Sequence, residues 1–522
     1  MSLQPTSAND SERAPSPVSR ASSSALGIGT MAVLAGSKLL LHVLLANRYG
    51  YFRDELYFLD CGRHLDWGYV DHAPMIGLVA RVALMMGGSL HALRIFPAVA
   101  GSLLVALSML MTWRLGGGRY AQAVAGLCIL FAPEYLGGDS LLTMNCFEPL
   151  FWMGCIYVVI CIVQTGNSRL WIWFGVLSGL GLMNKHSTLF FGLAVVVALI
   201  LTPLRREFLK PWIWLAGLVA LLIFMPNLMW QVRHDFPTLE DLHNVAASGK
   251  NVILGPGAFL GQQILMMHPV LFLVWFAGLA YLFVGRAGKY RFISWTYLAL
   301  LITFIVLHGK DYYLAPAYPM LFAGGALAIE LWLDRWWARA AVVVVIVITG
   351  SIVAPLALPL LSPEKYIAYE HYLHVVPAKT EVNHDGPLPQ EWGDQFGWPE
   401  LVAQVAQIYN ALPPEERSKA AIFTGNYGEA GAIDQLGPAY GLPQAISGHQ
   451  THSMWGPMGY NGDVIIFLQY SRSFMESHCT SFEEAAVHSH PWGMAEENRP
   501  IYVCRGLKPP LPELWPELKH WN

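Results

Sequence analysis

Apolar runs long enough to cross a bilayer recur along residues 1 to 360. A helix needs roughly 17 to 25 apolar residues to span a ~30 Å hydrocarbon core, and about eleven stretches meet or approach that length. They are 25–46, 92–113, 120–137, 147–165, 170–184, 187–204, 211–229, 259–284, 292–307, 312–333 and 338–360. A shorter stretch from Pro74 to Met86 has helical periodicity but carries Arg81, which predicts an amphipathic helix at the membrane surface. Beyond residue 360 the pattern changes. Turn signals at Asp385-Gly386-Pro387 and Leu412-Pro413-Pro414 flank an amphipathic helical stretch from Pro399 to Asn410. Strand-like runs follow at Ala420–Thr424, Asp463–Leu468 and Ile501–Cys504.

The pattern predicts a polytopic α-helical membrane domain over residues 25–360, with an external loop at 47–91, followed by a small α/β domain over 361–522. Residues 1–24 are rich in Ser and Pro, carry Arg13 and Arg20, and predict a disordered tail. Lys and Arg fall in alternate loops: Arg114 and Arg119; Arg169; Arg205, Arg206 and Lys210; Arg286, Lys289 and Arg291; Arg335 and Arg339. The positive-inside rule places these loops, and the N-terminus, in the cytoplasm. An odd number of spans then puts residues 361–522 outside. Cys479 and Cys504 lie in that tail, where an oxidising compartment would permit a bridge without requiring one.

Composition agrees with a membrane class, with 54% hydrophobic and 13% charged residues. The formal net charge of −4 gives no basic surplus for a nucleic-acid partner. Neither GxxxxGK[ST] nor HExxH occurs, so a nucleotide cofactor and zincin chemistry find no support. Lys38 and His42 inside the first apolar run read either as functional intramembrane charge or as snorkelling side chains.

Acidic residues crowd the loops opposite the basic ones. The densest group is Tyr51-Phe52-Arg53-Asp54-Glu55-Leu56-Tyr57, followed by Trp67-Gly68-Tyr69-Val70-Asp71-His72-Ala73-Pro74. Carboxylates beside aromatics at a membrane surface suit a lipid-linked sugar, as base or metal ligand beside rings that stack on sugar. For Asp60 and Asp66 an ordinary solvated loop is the preferred reading.

These segments resemble the first external loop of the protein mannosyltransferase superfamily of GT-C fold, particularly its bacterial aminoarabinose transferases, and the resemblance covers most of the chain. It implies a membrane glycosyltransferase that moves a sugar from a polyprenyl-phosphate donor to a cell-envelope acceptor: lipid A, another glycan, a lipid or a protein. The reaction would take place on the outer face of the inner membrane, with inversion at the anomeric carbon. By the same resemblance Asp54 is the base for the acceptor hydroxyl, with Glu55 beside it. Asp71 is a divalent-metal ligand, and His72 faces the donor phosphate where aminoarabinose transferases have Lys.

Glu148, in Gly138-Asp139-Ser140 through Phe147-Glu148-Pro149, matches the second acidic site, or else complements a helix dipole. Lys310, Tyr312 and Tyr313 match the late loop that would hold the departing lipid phosphate. Asn184-Lys185-His186 reads as a phosphate site or a polar hairpin. His268 reads as a metal ligand or a hydrogen-bonded core histidine. The tail runs Thr424–Ala432 and Ser447–Gly456 offer Asn426, Glu429, His449 and Trp455 for acceptor recognition, or serve structure alone. A transporter or flippase of a lipid-linked sugar is the alternative class, although the acids crowd one surface and no internal repeat marks a midplane site. A glycan-binding pseudoenzyme is the third reading.

Overall fold

The computed structural model describes residues 25–285, 288–375 and 386–521. The N-terminal tail, Arg286 and the Asp385 of the expected turn lie outside the described residues. Among the described residues, seven helices are long and apolar enough to cross a membrane: Ile28–Leu45, Leu90–Leu115, Met144–Thr165, Pro211–Arg233, Gly288–Val306, Asp311–Trp332 and Trp336–Ala357. Two bent pairs, Thr188–Ile200 with Pro203–Leu209 and Pro256–Met266 with Pro269–Val284, raise that number to nine, and the apolar helices Met75–Met85 and Arg119–Phe131 are shorter.

Proline interrupts two of the expected runs. The run 120–137 is cut at Pro133 into Arg119–Phe131 and a short helix Pro133–Gly138. The run 259–284 breaks at His268-Pro269, where Pro256–Met266 and Pro269–Val284 meet at 107° and His268 has φ 75°. Trp171–Asn184, at 14 residues, is shorter than a spanning helix needs.

The helix Tyr318–Trp332 forms the centre of the membrane part and is buried along most of its length. It approaches Pro269–Val284 through glycines. A Cβ on Gly278 would sit 2.0 Å from the Leu321 carbonyl oxygen, and one on Gly325 would sit 1.9 Å from that of Val274. Lys38 is buried and pairs with Asp139 at 2.9 Å while donating to the Tyr135 carbonyl at 2.7 Å, so it does not snorkel.

The soluble part is built on a five-stranded sheet of order β2-β1-β3-β5-β4, with β1 Ala420–Thr424, β2 Ile446–Ser447, β3 Val464–Leu468, β4 Cys479–Val487 and β5 Pro500–Leu507. The first three strands are parallel, while β5 runs antiparallel to β3 and β4. The helix Trp398–Ala411 buries Leu401, Val402 and Val405 against one sheet face. Cys479 and Cys504 form a disulfide across β4 and β5.

This domain docks onto the first external loop. Its helix Tyr427–Leu436 lies against Arg53–Arg63 so closely that a Cβ on Gly431 would be 2.6 Å from the Leu56 carbonyl. Further polar ties cross the junction: His452 Nε2 to Asp60 Oδ2 at 3.1 Å, Gln450 Nε2 to Asp241 Oδ1 at 2.9 Å, and Arg63 to Gln435 at 2.5 Å. Asp60, read as solvated, is fully buried in this interface.

Candidate active site

The site is built at the N-terminus of the helix Arg53–Arg63. Phe52 has extended backbone before the first turn, and the Glu55 carboxylate accepts its N–H at 3.0 Å, one half of a capping box. Asp54, in the same turn, favours the positive end of the helix dipole. Consecutive helix positions point about 100° apart, and the two acids therefore meet different surroundings. Glu55 is completely buried. Arg94 grips it with Nε at 3.0 Å and Nη2 at 2.8 Å, and the Leu142 N–H reaches it at 3.0 Å. With four donors on its two oxygens, Glu55 ties the loop together and has no lone pair left for a substrate. Its expected share in the chemistry is replaced by this structural one.

Asp54 is half-buried and accepts a hydrogen bond from the Tyr427 hydroxyl of the soluble domain at 2.9 Å. Tyr427 stacks on Tyr57 with ring centroids 4.7 Å apart, and Tyr57 donates to Asp71 Oδ1 at 2.7 Å. The two aspartates thus stand on either side of a pair of tyrosines. Partial burial pushes the Asp71 carboxyl up to about 7; the Tyr57 hydrogen bond opposes this and the Asp54 charge adds to it.

His72 is buried, with Nε2 3.6 Å from Cys61 Sγ and Nδ1 3.0 Å from the Ala73 carbonyl. Burial holds its pKa down at about 4, so at neutral pH it is uncharged and supplies no cation to a phosphate.

A cation stands elsewhere on this face. Lys185 ion-pairs with Glu148 at 3.1 Å, donates to Asn145 Oδ1 at 2.7 Å, and lies over the rings of Tyr313 and Tyr312 at 4.6 and 5.6 Å. Ser187 also donates to Glu148. Glu148, expected as a second acidic site, is the buried anchor that aims Lys185. Asp54 acts electrostatically on Tyr312, which connects this group to the base side of the site. Lys310 precedes the 3-10 turn Asp311–Ala317 and faces the Asp311 charge.

The two expected metal ligands do not share a donor set. Asp71 is held by Tyr57, whereas His268 caps the helix Pro269–Val284 by accepting the Val270 N–H at 3.1 Å. Among the described residues, no group of three or more His, Cys, Asp or Glu is placed to hold a metal ion. The residues present do not fit a protein-bound divalent ion, and no step is routed through one.

Of the four acceptor candidates in the tail, two lie in the wall of a cleft, both largely buried. Asn426 and His449 line this cleft of about 690 Å³ between the domains, together with Arg53, Lys250, Arg472 and Arg499. Among the described residues, Glu496 is the one acid in that lining, which also holds four Lys and Arg side chains. Glu429 is buried, accepts the Gly425 N–H at 2.9 Å, and pairs with Glu497. Burial, with the Glu497 charge added, raises the Glu429 carboxyl well above its usual range, and burial raises Glu497 to about 7 against the opposing pull of Arg53 and the hydrogen bond to Glu429, so the pair favours a shared proton. Trp455 stacks on His64 at 4.2 Å in the docking interface. Lys250, Arg472, Arg499 and the ring of Tyr427 carried no sequence signal of their own; Tyr427 gains its place from a contact 373 positions away.

Comparison with known proteins agrees with this architecture. Residues 71–230 match the family described as dolichyl-phosphate-mannose-protein mannosyltransferase. The lipid A galacturonosyltransferase RgtD of Rhizobium johnstonii is 24% identical over 295 residues, covering 55% of this chain and 61% of that protein. The chain thus matches about three fifths of that relative's length. The crystal structure of ArnT from Cupriavidus metallidurans bound to undecaprenyl phosphate is similar with a TM-score of 0.63 at 15% identity, covering 91% of this chain and 98% of that one. Its apo state gives 0.59 at 15% identity, with 92% and 98% covered. The protein is a multi-pass membrane protein with the GT-C glycosyltransferase fold, as the sequence resemblance led one to expect.

Proposed function

We propose that the protein is a membrane glycosyltransferase that moves a sugar from a polyprenyl-phosphate donor to an anionic cell-envelope glycolipid or glycan. The observation that carries this reading is one half-buried carboxylate, Asp54, on the external loop and hydrogen-bonded by Tyr427, with the Lys185 ammonium held by Glu148 over the rings of Tyr312 and Tyr313. A lipid-linked sugar brings its own leaving group, so such an enzyme needs only a base for the acceptor and positive charge for the departing phosphate. Asp54 takes the proton of the acceptor hydroxyl as its oxygen bonds to the anomeric carbon. The bond from that carbon to the phosphate oxygen breaks, and the new charge on the phosphate faces Lys185. In-line displacement inverts the anomeric configuration.

The cleft supports the choice of acceptor class. Its four cationic side chains suit phosphate or carboxylate groups, and Arg53 and Asn426, the neighbours of Asp54 and Tyr427, lie in its wall. The similarity to a lipid A galacturonosyltransferase supports lipid A as the first acceptor to try. The disulfide in the soluble domain and the basic loops on the opposite side support an extracytoplasmic site with a cytoplasmic N-terminus, in the inner membrane.

Lys185→Met tests the phosphate assignment. Loss of one charge-stabilising donor from a transition state costs roughly 10²–10³-fold in rate, and kcat with radiolabelled undecaprenyl-phosphate sugars should fall by that order. An unchanged kcat in folded Lys185→Met would move the phosphate site elsewhere, with Lys310 the next residue to replace.

A further inference from the structure

The hydrogen bond on Asp54 comes from the other domain, 373 positions along the chain. We propose that Tyr427 is a positioning residue that holds Asp54 oriented and ionised, so that the C-terminal domain completes the catalytic site of the membrane domain. The inference rests on the reading of Asp54 as the base.

Several contacts fix the Tyr427 ring. It is sandwiched between Tyr57 at 4.7 Å and His449 at 4.9 Å, and the Arg53 guanidinium lies 5.9 Å from its centroid. Its backbone N–H donates to His449 Nδ1 at 3.3 Å. Asn426 caps the helix that begins there, accepting the Glu429 N–H at 2.9 Å and donating to Glu497 at 2.9 Å. Gly428 permits the close seat, since a Cβ there would lie 2.4 Å from Arg53 Cγ. The phenol therefore has one orientation, and that orientation points at Asp54.

The chemistry of the bond also has a direction. A phenol donates to a carboxylate, which favours the charged form of the acid. Burial, with the Asp54 charge added, raises the Tyr427 pKa well above its usual value and keeps its proton in place. The ring sandwich serves domain docking by itself, and the hydroxyl adds one bond across the junction, which ends on the Asp54 carboxylate. Charged and titratable groups acting with Asp54 from the surrounding elements are Asp71 and His72 on the same external loop, Tyr312 before the Tyr318–Trp332 helix, and Arg53 with its partner Asp394. Tyr427→Phe leaves all of these residues in place and keeps the ring beside Arg53.

The test is the pH dependence of kcat for full-length Tyr427→Phe in nanodiscs, with radiolabelled undecaprenyl-phosphate sugars as donor and envelope extract as acceptor. Losing a hydrogen bond to a charged group raises the pKa of the carboxyl by about one to two units. The acid limb, where protonation of the base removes activity, should move to higher pH by that amount, and kcat should recover toward high pH. The position of the limb is read on whatever fraction is folded, so partial loss of protein does not obscure it. A limb at the wild-type pH, with kcat either normal or lowered equally at every pH, overturns the inference and leaves Tyr427 a docking residue. Asp54→Asn in the same assay separates the two levels. If Asp54→Asn still transfers sugar, the base reading itself fails; if it does not and the Tyr427→Phe limb is unmoved, only the positioning role fails.

Discussion

Asp54→Asn is expected to lower kcat by about 10²–10⁴-fold, the span that general-base catalysis contributes. Asparagine is nearly isosteric and can still accept the Tyr427 hydroxyl, so the domain junction and the ring stack should survive. Asp54 is half-buried and at the helix start, and its loss should cost the fold only the few tenths of a kcal/mol to about 1 kcal/mol that dipole complementarity is worth. The variant should therefore bind donor with an affinity close to that of the wild type and fail at the chemical step. Single-turnover transfer measured beside equilibrium donor binding checks both halves. Loss of binding along with turnover would mean that Asp54 holds substrate and is not the base.

The second large effect concerns its neighbour and falls on stability. Arg94 binds Glu55 through two nitrogens, and the same guanidinium reaches the carbonyls of Ala46 at 2.8 Å and Gly50 at 2.7 Å and the Gln395 side chain at 3.1 Å. One arginine thus joins the end of the first helix, the external loop and the soluble domain. Arg94→Leu leaves Glu55 as an unpaired buried charge and should cost about 3–5 kcal/mol. Glu55→Leu combined with Arg94→Leu removes both charges, so the double variant should be more stable than Arg94→Leu alone. Thermal unfolding of the detergent-purified proteins reads the order directly. If the double variant is the least stable, the Glu55–Arg94 pair is not what makes the single substitution costly.

The contrast between Asp54 and Glu55 shows what the sequence could carry. The pair was legible as a functional motif, but which acid faces solvent depends on the helix phase and on Arg94, 39 positions away. Local signals served well where burial and backbone preference act locally. Of the strands at 420–424, 463–468 and 501–504, the first matches β1, the second begins one residue before β3 and the third lies inside the longer β5, because each is a short apolar run bounded by turn residues. Strand β4, Cys479–Val487, was not legible: it lies at the sheet edge with mostly exposed side chains, so it lacks the apolar alternation that marks a half-buried strand.

The boundaries of the apolar runs were less legible for a related reason. Mean apolarity does not register a proline break such as Pro133 or Pro269, where composition stays membrane-like while the helix turns. In the site, His72 and Lys185 exchanged importance. His72 was favoured by motif likeness, yet its burial leaves it neutral. Lys185 gained weight only when Glu148, Tyr312 and Tyr313 were seen around it. Tyr427 lay within a quoted glycine-rich run without a role, since nothing near it in sequence announces a partner 373 residues upstream.

The central claim is that this fold cleaves a lipid-linked sugar and does not merely move it. The most direct measurement reconstitutes the wild-type protein in liposomes with a radiolabelled undecaprenyl-phosphate sugar and purified lipid A, following both the label and the free undecaprenyl phosphate. The account predicts label on lipid A with an equal amount of undecaprenyl phosphate released. Label that crosses the bilayer still attached to undecaprenyl phosphate, with no release and no transfer, would contradict it and identify a transporter.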